Sequence, residues 1–200
     1  MRYLSTVSTW KMFDSVILIG PVGAGKSSVG EQVSKNLALP SCSIDDVREN
    51  YYKEIGYDED EAAARYEAEG FWGRYKYWKP FEAYAVERIL SENVGSVIDF
   101  GAGHSVYEDE SLFLKVKSVL APYPFVFLLL PSPDLEKSLD ILNKRVSGVA
   151  DITPNPNRHF LAHPSNAELA NFTIYTENKT VEQVAKEVSA LVTAGIAERS

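Results

Sequence analysis

Gly20, Gly25, Lys26 and Ser27 stand in the order Gly-x-x-x-x-Gly-Lys-Ser inside the stretch SVILIGPVGAGKSSVG, residues 15–30. Glycines at 20, 23 and 25, with Ala24 between the last two, let the backbone turn tightly and aim its amide N–H groups at an anion. A helix opening near Lys26 adds its positive N-terminal end. Lys26 is a flexible cation that can follow the β- and γ-phosphates of a nucleotide, and Ser27 offers a hydroxyl to Mg²⁺. Ser28 can reach phosphate through its hydroxyl or its amide. This is the P-loop pattern. A dinucleotide-binding glycine turn is the rival reading, and Lys-Ser at the helix start favours the P-loop. The implied ligands are ATP and Mg²⁺. The loop alone does not say whether the phosphoryl group moves to a small acceptor or is hydrolysed to flip a switch.

Ligands of parallel α/β sheets collect at the carboxyl ends of strands, so those ends supply the other candidates. Asp45, at the end of "LPSCSID", can accept a proton from a substrate hydroxyl or cap the helix that follows. Asp99 ends the apolar run "SVIDFG" and can hold a Mg²⁺-bound water as a Walker-B carboxylate does, or cap the next turn. Gly101 and Gly103 permit close backbone approach to a ligand or serve a tight turn. His104 reads as a substrate contact, a supporting partner or a loop residue. The strip GFWGRYKYWKPFEAY, residues 70–84, holds seven aromatics in fifteen positions. It can line a ring-binding pocket or pack the core. Pro80 is expected to open a helix, placing Lys79 and Glu82 three residues apart as substrate contacts or as a surface ion pair.

Elements that position these groups follow from the apolar patterning. Five short apolar runs, "SVILIG", "LPSCSID", "SVIDFG", "YPFVFLLLP" and "NFTIYT", alternate with helical patterns. That alternation predicts a parallel α/β sheet covered on both faces. Val29, Val33 and Leu37 recur every fourth residue behind the P-loop, as in a helix. The last helix begins at Thr180 with a Thr-x-x-Gln capping box and is expected to stop at Gly195. Residues 46–92 form an acidic, aromatic helical insert. Residues 144–168, with Pro154, Pro156 and Pro164, read as an irregular lid loop.

Two hundred residues suit one domain over 1–200. A net charge of −8 argues against a general nucleic-acid binder. The single cysteine, Cys42, fits a reducing compartment and reads as a core thiol. No run of eighteen apolar residues exists, and "MRYLSTVSTWKMFD" lacks the apolar stretch of a signal peptide. The expectation is a cytoplasmic protein that needs no membrane and no obligate protein partner.

From about Val16 to Val192 the chain resembles the shikimate kinase branch of the P-loop small-molecule kinases. The P-loop is the most specific part. "LPSCSIDD" is similar to the family's segment with an Asp-x-Asp pair, Asp45 standing at the second aspartate and Ser43 at the first. "WKPFE" is similar to its Phe-Arg-x-x-Glu stretch, with Lys79 for the arginine and Glu82 for the glutamate. Gly101-Ala102-Gly103 resembles its Gly-Gly-Gly turn, and "ELANFTIYTENKTVEQVAKEV" its last strand and helix. The family's arginine-rich "RPLL" lid segment is absent, so Arg145 and Arg158 are the lid arginines left to close over phosphates. The resemblance implies a P-loop NTPase three-layer sandwich with a five-stranded parallel sheet. It also implies ATP-dependent transfer to a hydroxyl of a small metabolite, with Asp45 binding that hydroxyl. Lysine is not equivalent to arginine for gripping a carboxylate, so the acceptor stays open. A nucleotide-dependent ATPase or switch acting on a protein partner is the alternative. A concave aromatic pocket beside the P-loop would favour the kinase, and a convex exposed patch the switch.

Overall fold

A computed structural model of the chain describes residues 14–199. The polar start, Met1–Phe13, on which the signal-peptide reading rests, lies outside the described residues. Five parallel strands form one sheet: β1 (Val16–Ile19), β2 (Ser41–Ser43), β3 (Val97–Asp99), β4 (Phe125–Leu130) and β5 (Phe172–Tyr175). Their order is β2-β3-β1-β4-β5. β1 is central, in register Val16 with Val97 on one side and Val16 with Phe125 on the other. The chain reverses direction across the sheet at β1, which opens a crevice at its carboxyl end.

Side chains alternate along β1 and are fully buried on both faces. Val16 and Leu18 pack with Val29 and Val33 of α1 (Lys26–Leu37) and with Val184 and Val188 of α8 (Val181–Ala197). Ile17 and Ile19 pack on the other face with Ile44 of α2 (Ile44–Glu54) and with Phe81 and Ile89 of α3 (Glu59–Glu92). Val116 and Leu120 of α4 (Glu110–Leu120) complete that layer. The sandwich of the P-loop NTPases is thus formed, and the five apolar runs are its five strands. Among the described residues, no helix is long and apolar enough to cross a membrane.

Three expectations about helices are corrected. The helix through the aromatic strip does not start at Pro80. It runs from the Asp58 cap, whose side chain accepts from the Asp60 and Glu61 amides, and breaks at Gly70, where φ is 65°. Pro80 lacks one helical donor, yet Phe81, Ala85, Val86 and Ile89 bury the following turns and carry the helix through it. Gly195 does not end α8, which continues to Ala197. A Cβ at Gly195 would lie 2.9 Å from the Phe125 ring, so glycine serves close packing there. The region 144–168 is not irregular throughout. After α5 (Leu135–Arg145) it holds α6 (Pro156–Ala162) and α7 (Ser165–Leu169). Asn155 caps α6 by accepting from the Arg158 amide at 3.1 Å, and Pro156 sits at its first turn, so proline starts that helix.

Candidate active site

The loop between β1 and α1 has the form its residues dictate. Gly23 and Gly25 hold φ of 80° and 92°, a region that side chains with a Cβ rarely occupy. Gly20 seats the loop on β4: a Cβ there would lie 2.5 Å from the Leu129 carbonyl oxygen. Lys26 is buried and donates to the carbonyls of Gly20 and Pro21, both at 2.9 Å. Burial lowers its ammonium to about 8, against the opposing pull of Asp45 and Asp99. Ala24 is buried under the turn, while Ser27 and Ser28 line the crevice.

Asp99 stands at the end of β3, next to β1. Its Oδ2 accepts from Ser27 Oγ at 2.8 Å and from Ser43 Oγ at 3.0 Å. Burial raises its carboxyl, and the two hydroxyls and Lys26 work against that. The P-loop serine and the strand-end carboxylate are therefore joined directly. Hard oxygen donors on two adjacent elements suit Mg²⁺. Ser43, at the first aspartate position of the resemblance, is now a partner of Asp99, a role its sequence position did not reveal.

A cavity of about 260 Å³ is shared by Val22, Lys26, Ser27, Asp45 and Asp99, so the phosphate cradle and Asp45 face one space. Asp45 is not the helix cap: Ser43 is the capping position, and Asp45 lies in the first turn of α2. Its Oδ1 meets the Arg48 guanidinium at 3.0 Å. A Cβ at Gly101 would lie 2.6 Å from Asp45 Oδ1 and 2.7 Å from His104 Nδ1. Gly101 thus makes room for two polar groups that converge on it. His104 is fully buried, and its Nε2 is hydrogen-bonded to the Tyr52 hydroxyl at 3.1 Å. Nδ1 has no partner among the described residues. Burial lowers the imidazole to about 3, helped by Arg48 and Lys79 and opposed by Asp45, so the ring is neutral at pH 7.

Lys79 and Glu82 are buried and form an ion pair. The Lys79 ammonium also donates to Gly103 O at 2.9 Å and Val106 O at 3.1 Å, and lies 3.9 Å from the Tyr75 ring centroid. Three donors meet three acceptors, so the ammonium is saturated inside the protein. Gly103 is needed beside this pair, because a Cβ there would run into the Glu82 carboxylate.

Of the two lid arginines, Arg145 reaches the P-loop, with Nη1 3.3 Å from the Gly23 carbonyl. Arg158 does not: both its terminal nitrogens donate to the Glu136 carboxylate at 2.7 Å. The aromatic strip faces inward. Tyr75 is buried with Val106 and Phe160, and Phe71 and Trp72 pack against the same cluster beside Val22 and Ala102. Arg48 and Arg74 lie over the Trp78 ring at 5.3 and 4.6 Å. Arg48 is three residues after Asp45, a spacing that could have flagged it. Arg74 is one of the basic residues of the aromatic strip, whereas no local pattern marked Tyr52.

Residues 22–193 match the family model for shikimate kinase. A shikimate kinase of Salinispora arenicola is 28% identical over 187 residues, covering 89% of this chain and 97% of that protein. A shikimate kinase of Francisella tularensis subsp. holarctica is 37% identical over 89 residues, 44% of this chain and 45% of that protein. Among solved structures, shikimate kinase from Acinetobacter baumannii in complex with shikimate superposes with a TM-score of 0.62 at 19% identity, covering 90% of this chain and 93% of that one. Shikimate kinase from Aquifex aeolicus gives 0.56 at 22% identity, over 93% and 99%. These structures share the fold. With the P-loop in place and the family model spanning most of the chain, the chain belongs to the shikimate kinase family, P-loop kinases that transfer a phosphoryl group to a hydroxyl.

Proposed function

We propose that this kinase transfers the γ-phosphoryl group of ATP to a hydroxyl of a small hydroxylated metabolite held beside Asp45. The observation that carries the reading is the shared cavity in which Lys26, Ser27, Asp99 and Asp45 meet. The loop amides and Lys26 hold the phosphates. Ser27 and Asp99 would hold Mg²⁺, which would neutralise phosphate charge. Asp45 accepts the hydroxyl proton as the acceptor oxygen bonds to phosphorus and the bond to ADP breaks. Gly101 lets the acceptor approach the backbone, and Arg48 steers Asp45. Positioning and charge neutralisation supply most of the rate.

Shikimate is the first acceptor to test, because relatives carry its name. It is a hydroxylated carboxylate, and Lys79 has no free donor for that carboxylate. Arg48, which meets Asp45, and Arg74, which lies over the same Trp78 ring, are the cations to test for that contact. The switch reading is disfavoured by the aromatic strip, whose Phe71, Trp72 and Tyr75 turn toward Val22 and Ala102. The test is ADP formation with shikimate and with a panel of hydroxylated metabolites. Acceptor-dependent turnover that Asp45→Asn abolishes, with ATP binding intact, is expected. ATP binding without acceptor-dependent turnover anywhere in the panel would overturn the proposal.

A further inference from the structure

Asn157, the second residue of α6, is fully buried. Its Oδ1 accepts from the Val22 amide at 3.0 Å, so the carboxamide is anchored on the P-loop itself. The other end of the same group, Nδ2, has no partner among the described residues. A side-chain NH₂ carries two donors, and a buried donor without an acceptor is rare and costly. This one is held beside a loop built to receive an anion.

Its anchor, Val22, belongs to the wall of the phosphate cradle. Val22 lines the cavity that also holds Lys26, Asp45 and Asp99. Lys26 Nζ is fastened to the carbonyls of Gly20 and Pro21, the two residues before Val22. The ammonium that follows the β- and γ-phosphates and the Asn157 carboxamide therefore flank one stretch of the loop. Val22 and Asp45 line the same cavity, so the anchored end of that stretch lies on the side where the acceptor hydroxyl would be.

The group is also fixed from behind. Asn155 caps α6 and donates to Asn143 Oδ1 at 3.3 Å. Trp72 Nε1 donates to the Pro154 carbonyl at 2.9 Å, and Phe160 is buried against Tyr75 and Val106. A neutral donor held by such supports keeps its orientation, which is what charge stabilisation asks of it. Arg158, one residue on, is turned outward to Glu136.

Resting on the P-loop kinase reading, we propose that Asn157 is a γ-phosphate-binding residue: Nδ2 donates to a γ-phosphoryl oxygen while Oδ1 stays on the Val22 amide. The test measures dissociation constants of Mg²⁺–ADP and of the Mg²⁺ complex of the β,γ-imido analogue of ATP. Asn157→Asp keeps an oxygen for Val22, removes the donors and sets a negative charge against the γ-phosphate. It is expected to leave ADP within about twofold and weaken the analogue by about tenfold or more. Asn157→Ala is expected to weaken the analogue by about tenfold relative to ADP. Should Asn157→Asp fail to fold, the ratio in Asn157→Ala decides. An unchanged ratio of the two constants in the folded variants overturns the proposal and leaves Asn157 a loop clamp. A wild-type chain that binds neither nucleotide removes the P-loop reading, and this assignment with it.

Discussion

The Lys79 ammonium donates to the Gly103 carbonyl at 2.9 Å, tying the long insert helix to the turn that follows β3. With Val106 and Glu82 as its other partners, the lysine is spent on structure. Lys79→Met leaves the Glu82 carboxylate buried and unpaired, and is expected to cost about 3–5 kcal/mol. The double change Lys79→Met with Glu82→Leu should recover most of that loss. Urea unfolding of the three proteins checks both statements. A single variant within about 1 kcal/mol of wild type would show that the pair is not buried as described.

His104 makes acid stability a test of the same turn. Its folded value of about 3 lies below the ordinary 6.5, so the unfolded chain takes up the proton first. Stability from this group is complete above about pH 6.5 and falls as pH drops toward 3. By pH 5 the loss is about 2 kcal/mol. The polar groups around the ring, Tyr52, Asp45, Arg48 and Lys79, stay in place in His104→Gln. That variant should lose less stability than wild type between pH 7.5 and 5 in paired urea titrations. Parallel curves would refute the assignment of a neutral, buried ring.

Lys26 gives a second pH signature, on binding. Its ammonium sits at about 8 in the ligand-free protein because burial disfavours its charge. Triphosphate favours the charged form, so nucleotide binding near pH 8 should take up protons. Calorimetry in buffers of different ionisation enthalpy measures that uptake. Lys26→Ala should bind without it and transfer phosphate about 10²–10³-fold more slowly. Equal proton uptake in the variant would assign the titration to another group.

The donor half of the site was legible in the sequence because it is local. The P-loop spacing, the apolar run before it and the helical repeat after it all lie within residues 15–37. Asp99 was legible as a strand end, although its bonds to Ser27 and Ser43 need β1, β2 and β3 side by side. Of the acceptor half, Asp45 was named from its strand end, and the rest was not legible, because its groups act across the fold. Lys79 and Glu82 read as substrate contacts or as a surface pair three residues apart. Only the packing of α3 against the Gly103 turn buries them. Asn157 lies 135 residues from Val22, and nothing near it in sequence announces the contact. Gly70 breaks a helix through a backbone angle that its neighbours do not encode.

β1 is packed on both faces, with α1 and α8 on one side and α2 and α3 on the other. Its last residue leads straight into Gly20, itself pressed onto the Leu129 carbonyl. The resting position of the phosphate cradle is therefore inherited from the whole hydrophobic interior. A change of volume at Val188 in α8 or Ile89 in α3 shifts the same strand from opposite sides. Since interiors are close-packed and transmit strain, such a change reaches the cradle without touching any group that meets a substrate. Distance from the chemistry is then a poor guide to which core substitutions are silent.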